Sequence, residues 1–135
     1  MAAQPTVESA MTAYPYAIEI DDHAASARSM MAQFRIHHLP VTEGGRLVGV
    51  VSEWGIKRAV ELGHDLSTGG ATRVRDVYSA DVLRVAPDEP LVAVLEQMAA
   101  RHAQTVMVVR DDALLGIFTF TDACRHYAEL LRSRG

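Results

Sequence analysis

Apolar and polar positions along the chain first follow a pattern that predicts a mixed unit of strands and helices between residues 17 and 62. An extended segment at 17–20 precedes a helix whose apolar residues are spaced i, i+3, i+4 and i+7. That apolar face consists of Ala27, Met30, Met31 and Phe34. A strand, a turn with two glycines, a second strand and a second helix follow at 39–42, 43–46, 47–52 and 53–62.

The same succession returns in the second half of the chain. A helix with an apolar face precedes two strands, at 106–110 and 114–119, which meet across an Asp111-Asp112 turn, and a last helix covers 121–131. The apolar face consists of Leu91, Val94, Leu95 and Met98. Residues 63–72 contain three glycines and no periodicity, which is typical of a linker.

Acidic residues and a proline predict where the first helix of each unit begins. Asp21 or Asp22 is expected to cap the first of these helices and Asp88 the second. Pro90 is expected in the first turn, where a missing N–H leaves no helical hydrogen bond unmade.

The two units are copies of one repeat. A shift of 67 residues aligns the sequence on itself without a gap, so that Gly49 falls on Gly116 and Arg58 on Arg125. Solenoids need about three repeats to bury their core. Two copies instead predict halves at 1–66 and 67–135 that form one module with a pseudo-two-fold axis, and a crevice between them is a natural ligand site.

Composition excludes several classes of protein. The chain is 49% hydrophobic and its formal net charge is −4, which disfavours nucleic acid as a partner. It has one cysteine, Cys124, as expected for a reducing cytosol. No apolar run approaches the roughly 18 residues of a membrane span, and the first residues do not resemble a signal peptide. We therefore expect a cytoplasmic protein without a membrane partner.

Motifs of catalysis and metal binding do not occur in the sequence. There is no GxSxG, P-loop or HExxH motif, so an enzyme is not expected. His37 and His38 are adjacent on an extended segment, where neighbouring side chains point to opposite sides. A structural or surface role is therefore favoured for the histidines, and no metal site is predicted.

The repeated features resemble the cystathionine-β-synthase (CBS) domain family over residues 7–127. They are the extended segment before the first helix, Leu39-Pro40-Val41, a turn, and Gly-Ile-Phe-Thr-Phe-Thr-Asp at 116–122. The resemblance implies an α+β fold in which two β-α-β-β-α motifs pack with pseudo-two-fold symmetry as a Bateman module. It also implies binding of an adenosine compound, with AMP, ADP or ATP favoured over S-adenosylmethionine or NAD, and no obligate cofactor.

The second copy carries the residues best suited to hold a nucleotide. The Asp122 carboxylate can accept hydrogen bonds from both ribose hydroxyls. Thr119 lies where a strand enters a helix, whose free N–H groups favour a phosphate, and the Thr119 and Thr121 hydroxyls can donate to it. Alternatively, Thr119 is a plain N-cap and Asp122 only stabilises the first turn. The resemblance favours ligand binding, and it implies that Asp122 faces Ile36, His37 and His38, with Tyr16 near the adenine.

The first copy departs from the family at the equivalent position. Gly55 replaces the aspartate, while Ser52 keeps a hydroxyl. The resemblance implies that the cavity of this second site is lined by Leu83, Ala103, Gln104 and Thr105. We expect weak adenosine binding there or none, unless Trp54 or Glu53 supplies another contact. Arg58 and Arg125 could contact phosphates or be solvated helix residues, and the sequence leaves both open.

The predicted function is that of a stand-alone regulatory module, such as an energy sensor. It would bind an adenosine ligand in the cleft between the motifs and signal in trans to an effector protein or through a homodimer. The helices ending near Leu62 and Leu131 are candidates for the dimer contact. The alternative is a ligand-free structural or dimerisation module.

Overall fold

The computed structural model describes residues 4–67 and 69–134. They form two compact units, each built from its own strands and helices. The first unit spans Tyr16–Val82. The second unit combines the described residues through Pro15 with those from Leu83 onward.

The first unit contains a small sheet flanked in sequence by helices. Strand β2 (Ile18–Glu19) runs parallel to β3 (His38–Glu43), which pairs antiparallel with β4 (Arg46–Ser52). Between β2 and β3 lies helix α2 (Ala24–Phe34), and β4 leads directly into α3 (Glu53–Glu61). A 3₁₀ turn at Val74–Asp76 follows the linker.

The core of the first unit forms where the apolar sides of these elements meet. Ala27 and Met31 of α2 are buried, as the helical spacing predicted, and Met30 and Phe34 are partly buried. The linker is not a free loop, because Leu66 is buried in the same cluster. The buried residues are Ile18, Ile20, Ala24, Ala27, Met31, Leu39, Val41, Val51, Ile56, Ala59, Leu66 and Val74.

The second unit repeats this order and adds a short N-terminal segment. Helix α1 (Val7–Ala10) and strand β1 (Thr12–Ala13) come first in the chain. The repeat then continues with β5 (Leu83–Val85), α4 (Leu91–Arg101), β6 (Thr105–Arg110), β7 (Ala113–Thr119) and α5 (Phe120–Arg134). β5 is parallel to β6, whereas β6 with β7 and β1 with β7 are antiparallel.

The second unit has a separate core. Phe118 is its largest fully buried side chain. Of the predicted apolar face of α4, Val94 and Met98 are buried and Leu91 is partly buried, but Leu95 is 38% exposed. α1 joins this core because the Val7 N–H donates to the Glu89 carbonyl at 2.9 Å. The buried residues are Val7, Ala10, Leu83, Val85, Val94, Met98, Val106, Val108 and Phe118.

Both predicted hairpin turns are confirmed. Gly44 and Gly45 join β3 to β4 with φ of 59° and 85°. Asp111 and Asp112 join β6 to β7 with φ of 52° and 65°. Two consecutive positive φ values match the right-handed twist of the paired strands. Aspartate tolerates this conformation better than most residues do, so the second copy needs no glycine here.

The predicted helix caps are wrong in both units, and Asp22 lies one residue before the N-cap of α2. α2 begins after His23 and α4 after Pro90, and neither N-cap residue caps through its side chain. Pro90 itself is the N-cap rather than a first-turn residue. Asp21 lies too far before α2 to cap it, and its carboxylate instead accepts two hydrogen bonds from Arg75, at 3.0 and 3.1 Å. Asp88 likewise lies two residues before the Pro90 N-cap.

The compact units and the predicted halves at 1–66 and 67–135 cut the chain at different places. The segment after the linker stays with the first unit, where the Val74 N–H donates to Asp22 O and the Arg75 N–H to Ile20 O, both at 2.9 Å. The halves describe the sequence repeat and remain a prediction. Among the residues that the structure describes, no helix is both long enough and apolar enough to cross a membrane.

Candidate functional site

Asp122 and Thr119 form a reciprocal pair at the start of α5. Asp122 Oδ2 accepts the Thr119 backbone N–H at 2.9 Å and its hydroxyl at 3.1 Å. Thr119 Oγ1 in turn accepts the Asp122 N–H at 3.3 Å. This is the arrangement of a capping box, with aspartate at the third helical position. Asp122 therefore helps to cap helix α5, whether or not it also binds a ligand.

The Asp122 carboxylate is buried, and its only charged partner among the described residues is exposed. The Asp122 residue is 6% exposed, whereas the side chain of Arg125 is 62% exposed. Arg125 donates one hydrogen bond to Asp122 Oδ1 at 3.3 Å. Because the Arg125 side chain is exposed, it can leave this carboxylate for water if another donor takes its place.

Thr105 lies directly opposite Thr119 in the β6–β7 pair. Directly opposed residues of antiparallel strands have their side chains on the same face. Thr105 is 8% exposed, and its buried hydroxyl oxygen has no hydrogen-bond partner in the described structure. Beside it, the Gln104 carbonyl accepts the Phe120 N–H at 3.1 Å. The sequence assigned Thr105 and Thr119 to different sites, and the structure places them side by side.

Leu83 and Ala103, which are also assigned to the second site, lie in the second unit, as do Thr121 and Gly116. Leu83 is buried in β5, and Ala103 packs against the core of the second unit. Thr121 is exposed in the first turn of α5. Gly116 lies within β7, where a Cβ would overlap the Met11 side chain.

Tyr16, which is expected near the adenine, and Ile36, which is expected to face Asp122, both lie in the first unit. The Tyr16 ring stacks on Phe34, with centroids 3.8 Å apart and planes 9° from parallel. Tyr16 is nevertheless 53% exposed. Ile36 is partly buried against the core of the first unit. An exposed, pre-stacked ring offers a flat apolar surface of the kind that a base can contact.

His37 is paired with Glu53, which the sequence analysis had treated separately. His37 Nδ1 lies 2.5 Å from Glu53 Oε2, and the His37 carbonyl accepts the Glu53 N–H at 2.9 Å. The hydrogen bond from His37 lowers the pKa of the Glu53 carboxyl; burial opposes this, and the charges of His37 and Lys57 add to it. The negative charge of Glu53 thus has a local partner.

His38 begins β3 and lies opposite Ser52. Burial lowers the pKa of the His38 imidazole, and the neighbouring His37 lowers it further. Both effects favour the neutral imidazole, which donates a hydrogen bond at one ring nitrogen and accepts one at the other.

The element equivalent to Thr119–Asp122 in the first unit keeps the cap and lacks the carboxylate. Ser52 Oγ accepts the Gly55 N–H at 2.9 Å. Arg58, equivalent to Arg125, has its guanidinium carbon 5.5 Å from the centroid of the Trp54 ring. Trp54 is 68% exposed, so this stack lies at the surface.

Within each unit the structure brings some of the predicted residues together. Thr119, Asp122 and Arg125 form one hydrogen-bonded group. His37 with Glu53, and Arg58 with Trp54, form two others. The pairing of Arg125 with Asp122 follows from their i, i+3 spacing on α5 and could have been predicted from the sequence. The assignment of Tyr16, Ile36, His37 and His38 to the same ligand as Asp122 remains a prediction.

Comparison with protein families identifies two CBS domains, at residues 7–62 and 74–129. The two matches are offset by the same 67 residues as the internal repeat. Together they cover most of the chain, and the chain therefore belongs to the CBS domain family. We refer to these ranges as the first and second motifs.

Solved structures of similar fold support this assignment. The Vibrio cholerae protein AcuB, named for acetoin utilization, superposes with a TM-score of 0.87 at 27% identity, covering 98% of this chain and 96% of that one. The CBS domain pair of protein MJ0100, in complex with 5′-methylthioadenosine and S-adenosyl-L-methionine, gives 0.79 at 22% identity, with 94% and 98% covered. CBSX2 in complex with AMP gives 0.77 at 22% identity, with 93% and 97% covered.

Curated relatives are much longer than the matched region. The homoserine O-acetyltransferase of Methanococcoides burtonii is 35% identical over 103 residues, which are 74% of this chain and 20% of that enzyme. Across four such relatives, the chain spans 11% to 20% of their length.

Proposed function

We propose that this chain is a regulatory module that binds an adenosine-containing ligand, with AMP, ADP or ATP favoured, and signals to a partner in trans. One observation carries the proposal. The Asp122 carboxylate is buried at the start of α5, yet its only charged partner among the described residues is the exposed Arg125. Taking a carboxylate out of water is costly unless its acceptor positions are filled, and ribose hydroxyls can donate where the exposed Arg125 donates now.

The similar structures agree with this ligand class. MJ0100 binds 5′-methylthioadenosine and S-adenosyl-L-methionine, and CBSX2 binds AMP. All three ligands contain an adenosine, so the shared part of the ligand is the part that Asp122 would bind. The proposed recognition therefore depends mainly on the nucleoside and less on the phosphate.

Binding is tested by thermal unfolding of the full chain with AMP, ADP, ATP, S-adenosylmethionine and NADH. A ligand at about 100 times its Kd adds roughly 2.7 kcal/mol, which raises the Tm of a domain of this size by several degrees. Asp122→Asn keeps the size of the side chain and removes its charge, and we expect it to abolish the shift.

A matched control separates loss of a ligand from loss of a cap. Asp76 Oδ2 accepts the Arg73 N–H at 2.8 Å, three residues earlier, as Asp122 does with Thr119. Asp76→Asn should lower the Tm without reducing the shift produced by the ligand. If no compound shifts the wild type, the proposed function is wrong and Asp122 serves only as a helix cap.

The second candidate is a ligand-free dimerisation module, and the surface of α5 favours it. Tyr127, Leu130 and Leu131 are 62%, 48% and 53% exposed, although an exposed helix face is usually polar. Val60 and Leu62 at the end of α3 are similarly exposed. Sedimentation of the wild type and of Leu130→Glu tests this candidate: a dimer that the variant dissociates supports it, and a monomeric wild type excludes it.

A further inference from the structure

The hydrogen bonds of Asp122 leave too few free acceptor positions for a ribose diol. A carboxylate offers about four acceptor positions on its two oxygens. Oδ2 already accepts two bonds from Thr119, and Oδ1 accepts one from Arg125. One position remains, whereas two vicinal hydroxyls need two. A diol can therefore bind only if one present donor leaves.

Arg125 is the donor most easily displaced. The Thr119 N–H belongs to the backbone at the start of α5 and is fixed by the strand before it. The Arg125 side chain is 62% exposed and makes a single bond at 3.3 Å. Water can solvate this guanidinium once it has left, whereas the buried Asp122 carboxylate needs another donor in its place.

We propose that the ribose of a bound ligand displaces Arg125 from Asp122, and that the released guanidinium then pairs with the 5′-phosphate of that ligand. The inference rests on the proposed function and specifies its ligand class. A nucleoside without phosphate breaks the ion pair and gives Arg125 no new partner. A 5′-phosphorylated adenosine replaces the lost pair with a charge-assisted one. The site therefore selects AMP over adenosine and 5′-methylthioadenosine.

A second observation indicates a ligand at the same place. The Thr105 hydroxyl is buried without a partner, on the same face of the β6–β7 pair as Thr119. Buried polar groups in native structures are nearly always hydrogen-bonded. The oxygen is buried, so a ligand at the start of α5 would supply the missing partner only if the side chains over Thr105 move.

The experiment measures the Kd of AMP, adenosine and 5′-methylthioadenosine by calorimetry for the full chain and for Arg125→Met. We expect the wild type to prefer AMP. In Arg125→Met, AMP should bind about tenfold more weakly, because a hydrogen bond to a charged group is lost. Both phosphate-free compounds should bind about threefold more tightly, because no ion pair has to be broken. These opposite changes would not follow from a loss of folding.

Arg132→Met is the matched control. It removes an exposed arginine from the last turn of the same helix α5, far along the helix from Asp122. Its affinities should equal those of the wild type. Arg125→Lys keeps a positive charge and should restore part of the preference for AMP.

The outcomes separate this inference from the proposed function. If the wild type binds AMP and Arg125→Met changes all three affinities in the same direction, or changes none, the exchange of Arg125 is wrong and the nucleotide site stands. A wild type that prefers adenosine to AMP also contradicts the exchange alone. If none of the three compounds binds, the exchange of Arg125 is wrong, and AMP is excluded as the ligand of the proposed function.

Discussion

Ser52 and Gly55 make the same N-cap bond in the first motif that Thr119 and Asp122 make in the second. Ser52 Oγ accepts the Gly55 N–H at 2.9 Å, and Thr119 Oγ1 accepts the Asp122 N–H at 3.3 Å. Only the second motif has a carboxylate that returns to the N-cap residue. The two motifs therefore share the local fold at this point and differ in one side chain, which is the one that the proposed function needs.

Gly55→Asp should stabilise the chain by restoring this carboxylate. A Cβ at Gly55 would lie 3.1 Å from Ser52 Oγ and 3.7 Å from the Val77 carbonyl, so a small shift of the hydroxyl accommodates it. Replacing a glycine inside a helix contributes about 0.5–1 kcal/mol, and an acidic residue in the first turn adds about 0.3–1 kcal/mol. Urea unfolding measures the sum.

Gly55→Ala is the control for this prediction, because it supplies the Cβ without the carboxylate. We expect Gly55→Asp to unfold at a higher urea concentration than Gly55→Ala. Equal stability of the two variants would show that no capping box forms with Ser52.

Thr105→Val should raise the free energy of unfolding by about 1 kcal/mol in the absence of ligand. The Thr105 hydroxyl is buried without a partner, and leaving such a group unsatisfied costs about 1–3 kcal/mol. Valine has nearly the same shape and no hydroxyl. Thr105→Ser keeps the hydroxyl and loses the methyl group, so it should be less stable than the wild type. If Thr105→Val is the less stable variant, the hydroxyl has a partner in solution.

Much of the fold could be predicted from the sequence because its apolar spacing is regular. Ala27 with Met31, and Val94 with Met98, lie four residues apart and are buried as helical spacing requires. The caps could not be predicted in this way. Any acidic residue before a helix is a candidate cap, and Asp21 is used instead by Arg75, which lies far from it in the sequence.

The candidate site could be predicted only in part, for a similar reason. Asp122 and Thr119 belong to one continuous segment, so their contact follows from local geometry. The pairing of His37 with Glu53 and the opposition of Thr105 to Thr119 depend on strand register. Register is set by a whole hairpin, including the irregularity between Val108 and Val109, and no single motif reveals it.

Gly49 and Gly116 occupy equivalent places in the repeat, but they should respond differently to alanine. A Cβ at Gly49 would overlap the backbone carbonyl of Ser79, which is held by its hydrogen bond from the Val50 N–H at 2.9 Å. The three atoms nearest to a Cβ at Gly116 all belong to the side chain of Met11, which has three rotatable bonds and can move.

Gly49→Ala should therefore destabilise the chain by about 1–3 kcal/mol, the usual cost of overpacking, and Gly116→Ala by clearly less. Thermal unfolding of both variants gives the comparison. Adding Met11→Ala to Gly116→Ala should remove the overlap, so the loss caused by Gly116→Ala should shrink in that background. If both single variants lose the same stability, the difference between a fixed backbone carbonyl at Gly49 and a movable side chain at Gly116 is contradicted.

His38 should make the stability of the chain depend on pH near neutrality. Burial holds the pKa of the folded imidazole below its ordinary value of 6.5, with a further contribution from His37. As the pH falls through 6.5, the unfolded chain takes up a proton before the folded chain does. The free energy of unfolding therefore decreases as the pH is lowered from 6.5 to the folded pKa, and it is fully retained above that window.

Urea unfolding of the wild type and His38→Gln from pH 7.5 to 5.5 measures this difference. We expect a steeper fall in the wild type than in the variant, since glutamine does not titrate. Glu53, whose pKa is also lowered, has an ordinary value of 4.5 and contributes below this range. Parallel profiles for the two proteins would show that His38 takes up its proton equally well in the folded and unfolded chains.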